Sequence, residues 1–296
     1  MRFDWYQATI EADTLSVLNS ISKLGSEVIN ADSMARRYRY DQGFAVCHPQ
    51  RGVVAHVLAG GNGKNPHAFS SGEDSDSFVD LVRSLWPSQH LVTRMDSAQD
   101  FHEVGAYERL LKVSKRIAKD HHLRFPKIED DLNPIAGRTQ YIGGVSSDYR
   151  GRLYEKGWEV VQKMTSGQVS AFHGVIYNEA SGEYVDPANW VRLELQARPK
   201  GEEARRAAAA ASPEQAWAFT SWSHHLVNEA MSLELERFYV RTRKFSKDDA
   251  AMRWMCRQYG RMLSRRFDDL GDWASVGLEI GSVLKELRDI LSSSRK

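Results

Sequence analysis

Cysteine is almost missing from this chain: Cys47 and Cys256 are the two in 296 residues. Their separation makes neither a metal-ligand spacing nor a disulfide framework, which points to a reduced, cytoplasmic protein. Long apolar runs are absent as well. Nothing approaches the ~18 residues of a membrane span, and Asp4 interrupts the N-terminus before a signal-like core forms, so no membrane partner is expected. The net charge is only +1, too little to mark a nucleic-acid binder by itself. Gly60–Pro66, G-G-N-G-K-N-P, lacks the spacing of a P-loop, so Lys64 is no sign of nucleotide binding. No H-x-H pair stands on any strand; His56 and His67 are eleven residues apart. No internal repeat is visible.

What is present reads as a soluble globular chain, 42% hydrophobic and 27% charged. Its charge is segregated. From Glu236 to Arg266 ten Lys/Arg stand against three acids, an excess of +7 that leaves the remainder at about −6. A partner for the C-terminal part is implied.

Alternation and helical periodicity predict strands over Phe3–Ile10, Arg37–His48, Gly52–Ala59, His90–Phe101 and Asn189–Ala197. They predict helices over Thr14–Lys23, Ser75–Leu85 and Tyr107–His121. Beyond Gly201 the pattern is helical only: Ala207–Ala211, Pro213–Leu235, Lys247–Phe267 and Trp273–Leu291. The order implies an α+β domain over residues 1–200, a largely antiparallel sheet with flanking helices. A helical region over 201–296 follows it.

One hairpin organises the reading. Thr139–Gly143 and Gly151–Lys156 are short β-like runs joined by a Gly/Ser/Asp-rich turn, and the second carries Arg152, Tyr154 and Lys156. Residues two apart on a strand share a face, so the phenol is expected between two cations. Elsewhere Asp96, Ala98 and Asp100 share one strand face, alternating with Met95, Ser97 and Gln99. Arg192 and Glu194 alternate with Leu193 and Leu195. If these strands adjoin, carboxylates and a tyrosine converge on one surface.

T-R-M-D-S-A-Q-D-F resembles the T-R-L-D-x-A-x-D-F segment of the replication initiation factors of rolling-circle plasmids and filamentous phages. The T-x-Y-x-G…R-L-Y-x-K-G-x-E hairpin and W-V-R-L-E-L resemble later segments of that family, in the family's order from Thr93 to Arg198. W-M-C-R-Q-Y-G-R-M-L followed by G-D-W is similar to the phage and prophage members. The resemblance implies a relaxase-like nuclease core and an origin endonuclease and strand transferase with Tyr154 as nucleophile. It also implies a Mg²⁺ or Mn²⁺ ion on Asp96 and Glu194, with Asp100 as a further ligand. Gln196 stands where the family often has a second acid.

The chemistry accounts for the residue types. A tyrosyl oxygen joined to a 5′ phosphate, with release of a 3′ hydroxyl, conserves the ester and permits rejoining. Ionising a free tyrosine at pH 7 costs about 4 kcal/mol, and Arg152 and Lys156 are expected to lower that cost. Hard ions prefer carboxylate oxygen. Arg253, Arg257, Arg261 and Arg265 recur every four residues with no acid between them, a candidate phosphate-backbone stripe. Tyr141 and Tyr149 are candidate substrate contacts. Tyr259 is a rival nucleophile in a helical pattern that reads better as packing. His121–His122 and His224–His225 read as surface histidines. Expected partners are origin DNA, duplex or extruded single strand, a host helicase and a second copy in a homodimer. The alternative readings are a catalytically inert DNA-binding regulator of the same fold, or a tyrosine transposase or mobilisation relaxase.

Overall fold

A computed structural model describes residues 1–61, 63–167, 172–178, 182–236 and 247–293, the side chains of 134, 247–250, 253, 257 and 289–293 excepted. In chain order the strands are β1 (Arg2–Ile10), β2 (Glu27–Asn30), β3 (Gln42–His48), β4 (Gly52–Ala59), β5 (His67–Ser71) and β6 (His90–Phe101). There follow β7 (Lys127–Ile128), β8 (Thr139–Ile142), β9 (Tyr149–Tyr154), β10 (Ile176–Asn178), β11 (Glu183–Val185) and β12 (Val191–Ala197). The helices are α1 (Thr14–Ile21), α2 (Asp32–Tyr38), α3 (Ser75–Leu85), α4 (Ala106–Asp120), α5 (Lys156–Met164), α6 (Glu202–Ala210), α7 (Pro213–Trp217), α8 (Ser221–Met231), α9 (Lys247–Leu270) and α10 (Trp273–Ser293).

The chain divides into two compact units, Met1–Thr242 and Arg243–Lys296. The first is α+β. Ten strands form one antiparallel sheet in the order β2-β3-β4-β5-β1-β6-β12-β9-β8-β7, and β10–β11 is a separate hairpin. Alternation sends Tyr6, Ala8 and Ile10 of β1, Met95 and Ser97 of β6, and Leu193 and Leu195 of β12 to one face. There α1, α3, α6 and α7 close one buried cluster, while α4 and α8 close a second. On the other face α2 packs over Leu58 and Phe69 through Met34, Ala35 and Tyr38. The polar residues of β6, β9 and β12 remain between α2 and α5.

Several expectations are corrected. Arg37 and Tyr38 end helix α2 instead of starting a strand, because the Met34–Tyr38 stripe at helical spacing buries against Phe69. Lys156 opens α5 instead of closing β9. The compact unit also does not end near residue 200. Ala208, Ala216 and Trp217 are fully buried in it, and Trp217 Nε1 donates to Ser97 Oγ at 2.9 Å. The change of character at 200 is a change from strands to the helices that cover them.

The second unit is a helical pair. α9 and α10 meet across Gly271, whose φ of +85° suits glycine, and Leu263 and Val276 are buried. Phe267 and Trp273 have ring centroids 4.8 Å apart, and Arg266 pairs with Glu279 at 2.6 Å. Tyr259, expected to pack, is 45% exposed. Among the described residues no helix is long and apolar enough to cross a membrane.

Candidate active site

Sheet register brings the predicted residues together. Glu194 of β12 lies opposite Arg152 on β9 and opposite Ala98 on β6, with Asp96 and Asp100 diagonal to it. Tyr154 pairs with Arg192. The result is a cleft of about 470 Å³ on the open face of the sheet, lined by Asp96, Arg152, Tyr154, Lys156 and Glu194 among others. Its lining includes six cations (Arg94, Arg150, Arg152, Lys156, Lys163, Arg198) and four acids (Asp4, Asp96, Glu159, Glu194), a surplus that suits a polyanion.

Tyr154 is 4% exposed. Its hydroxyl donates to Glu194 Oε2 at 3.4 Å, a long bond, while Arg152 donates to the same oxygen at 2.8 Å. The cations do not flank the hydroxyl as expected. The Arg152 guanidinium lies over the ring, 4.1 Å from its centroid, and Lys156 Nζ lies 5.9 Å from it. Burial therefore raises the phenol well above its ordinary value; Glu194 adds to this, and Arg192 and Arg152 oppose it. Of the two cations expected to lower this pKa, Arg152 does so, but burial outweighs it.

The carboxylates are also perturbed. Burial pushes Glu194 up to about 7, with Asp96 and Asp4 adding by repulsion against the pull of Arg152. Burial raises Asp96 too, although Arg94 Nε donates to Oδ1 at 2.9 Å and its Nη2 to Oδ2. Asp100 stands apart. Arg192 grips both its oxygens at 2.6 and 2.7 Å, outweighs the burial that would raise it, and holds it below the usual carboxylate range. Asp100 does not line the cleft. Its predicted ligand role is corrected: the fold uses it to hold Arg192.

Among the described residues no three His, Cys, Asp or Glu side chains are grouped to hold a metal ion. Asp96 and Glu194 nonetheless fit a hard ion as a two-carboxylate donor set. Their mutual repulsion would be relieved by a cation, and Mg²⁺ commonly takes one or two carboxylates plus substrate phosphate oxygens.

Of the DNA-contact candidates, Tyr141 lines the cleft, with Arg150 3.7 Å over its ring. Tyr149 does not. It points to the helical face, packs edge-on against Phe219, and burial raises its phenol to about 12. Its alternation with Arg150 and Arg152 was the readable signal. Arg261 and Arg265 are exposed on α9, whereas the side chains of Arg253 and Arg257 lie outside the described residues. Sequence reasoning missed Asp4 and Trp5. A register irregularity between Phe3 and Trp5 turns both Asp4 and Trp5 into the cleft, and alternation carries no trace of it. Among the described residues the Nε–H donors of Arg150 and Arg152 are buried without an acceptor.

No family model matches the sequence, and no curated protein matches it. Among solved structures the chain is similar to a rolling circle replication initiator protein from Geobacillus stearothermophilus. The match has a TM-score of 0.46 and 17% identity, and covers 80% of this chain and 98% of that one.

Proposed function

We propose that the chain is a site-specific DNA endonuclease and strand transferase that initiates rolling-circle replication of a filamentous phage, prophage or related plasmid. One observation carries the reading: a tyrosine hydroxyl held against a carboxylate at the floor of an arginine-lined cleft. A DNA phosphate is the anion that such walls suit. Tyr154 Oη attacks phosphorus, forming the phosphotyrosine ester as the P–O3′ bond breaks. The phenol proton passes to Glu194 Oε2, and the departing 3′ oxygen takes up a proton from solvent. Glu194, titrating near neutrality, is matched to that task. A Mg²⁺ or Mn²⁺ ion on Asp96 and Glu194 would polarise the phosphate. Arg94 holds Asp96 in place, and Glu194 Oε1 has no hydrogen bond among the described residues.

The test is an adduct assay. Supercoiled plasmid bearing the cognate origin is incubated with protein and Mg²⁺ or Mn²⁺, then examined for open circles and a detergent-resistant DNA–protein adduct. Wild type is expected to give both and Tyr154→Phe neither. An adduct surviving in that variant would sink the assignment and point to Tyr259. A second reading, the inert DNA-binding regulator, draws on the burial and raised pKa of Tyr154. A retarded DNA band without nicking in either metal favours it.

A further inference from the structure

A second polar pocket, of about 410 Å³, opens on the same sheet face as the cleft. Trp5 lines the cleft and Gln7 and Thr9 line the pocket. Alternate residues of a strand share a face, and Trp5 and Gln7 are roughly 7 Å apart at the usual rise. A hydrogen-bond chain joins the two. Trp5 Nε1 donates to Gln7 Oε1 (3.1 Å), which leaves the Gln7 amide nitrogen to donate to His67 Nε2 (2.6 Å). His67 Nδ1 then carries the ring proton and donates to Thr9 Oγ1 (3.1 Å). Because the indole N–H can only donate, the direction of the whole chain follows. This histidine is neutral: burial, aided by the Arg205 charge, pushes it down to about 4.

The floor is therefore uncharged, and the cations stand around it. Lys64 is exposed and Arg205 half-buried, and among the described residues neither has a carboxylate within ion-pair distance. The same pocket has a ring wall: Tyr40 stacks on His67 with centroids 5.7 Å apart and planes at 16°. Two backbone features build the site. Arg39, at φ +62°, ends α2 in the left-handed region, and Tyr38 and Tyr40 on either side of it both line the pocket. Gly60 and Gly61, at φ +72° and +63°, pass so close to Asp41 that a Cβ would lie 2.7 and 2.8 Å from its carboxylate oxygens. Only glycine draws the loop bearing Lys64 and Asn65 in this far.

An aromatic wall, an uncharged polar floor and cations at the mouth, of which the Arg205 side chain donates among the described residues only to the Pro199 carbonyl (3.3 Å), match a nucleotide, with the base against tyrosine and the phosphate at Lys64 and Arg205. We propose that this pocket holds one nucleotide of the DNA strand whose reacting phosphate lies at Tyr154. The inference rests on the endonuclease reading. It extends the track of the strand along β1 beyond the cleft, and gives Lys64 a role that its loop motif did not suggest.

The test uses the full chain and a fluorescein-labelled single-stranded oligodeoxynucleotide containing 5-iododeoxyuridine. Anisotropy is read over a salt series, and irradiated complexes are mapped by mass spectrometry. Tyr40→Leu is expected to weaken binding about fivefold or more. Lys64→Ala is expected to weaken it as well and to lower the salt slope by about 0.7. Cross-links are expected at Tyr38 or Tyr40. Unaltered affinity and slope in Lys64→Ala, with cross-links confined to Trp5 and Tyr141, would overturn the subsite and leave the endonuclease reading standing. Loss of oligonucleotide binding alongside Lys64-dependent binding of thymidine 5′-monophosphate would replace the strand with a free nucleotide. Failure to bind either probe would overturn both proposals.

Discussion

Arg192 is 1% exposed, and its guanidinium is divided between two carboxylates. Nε and Nη2 bind Asp100 at 2.6 and 2.7 Å, and Nη1 binds Asp4 at 2.7 Å. Each partner is itself partly shielded from water, so removing the arginine leaves Asp100 without its hydrogen-bonded partner and Asp4 with only Arg2, 3.6 Å away. Arg192→Met is expected to cost about 3–5 kcal/mol in urea unfolding, although methionine fills much of the space. A loss below about 1 kcal/mol would mean that solvent already neutralises those acids. Burial first, and Glu194 of the same cluster second, raise the Tyr154 phenol above its ordinary value. Its ring is covered by Arg152 while its hydroxyl faces Glu194, so the cations lie against the π face and the nearest charge to the proton is negative.

At the scale of elements, α5 is fixed by a close backbone approach. It begins directly after β9, and Gly157 sits against the chain at Pro187: a Cβ there would lie 2.3 Å from the Pro187 carbonyl oxygen and 2.5 Å from its Cα. Neither atom can yield without moving backbone. Gly157→Ala is expected to shift α5, with Lys156, Glu159 and Lys163 on it, and to cost about 1–3 kcal/mol. Single-stranded DNA affinity should fall in parallel with thermal stability; an unchanged melting temperature and affinity would show that the contact is looser than described. Strands β6, β9 and β12 were legible because charge alternates there with apolar residues over six or more positions. β2, β5 and β7 were not, since runs of two to five residues carry no period that separates them from loop. α2 was misread because Arg36, Arg37 and Tyr38–Tyr40 offer no core face until Phe69 supplies one.

For the whole molecule, the division falls after Thr242, and the basic excess belongs largely to the second unit. Arg261 and Arg265 are exposed on α9 and none of the described ion pairs involves either. If they meet phosphate, Arg261→Ala combined with Arg265→Ala should lower the salt slope of DNA binding by roughly two and weaken affinity similarly for any sequence. Adduct formation at saturating DNA should persist. An unchanged slope returns the two arginines to an ordinary solvated face.

The sequence by itself determined the antiparallel α+β class, the strands that carry the site, and the strand faces of Asp96, Glu194, Arg152 and Tyr154. Alternation assigns each residue a face, and adjacency of three strands then suffices to gather them. Only the tertiary structure decided what those groups do to one another. The irregularity at Phe3/Trp5 admits Asp4 and Trp5 to the cleft, Arg192 removes Asp100 from it, and Lys156 moves from strand to helix. Periodicity along a chain records which side a residue faces, whereas pKa shifts and ion pairing depend on burial and on partners tens of residues away, down to the last ångström.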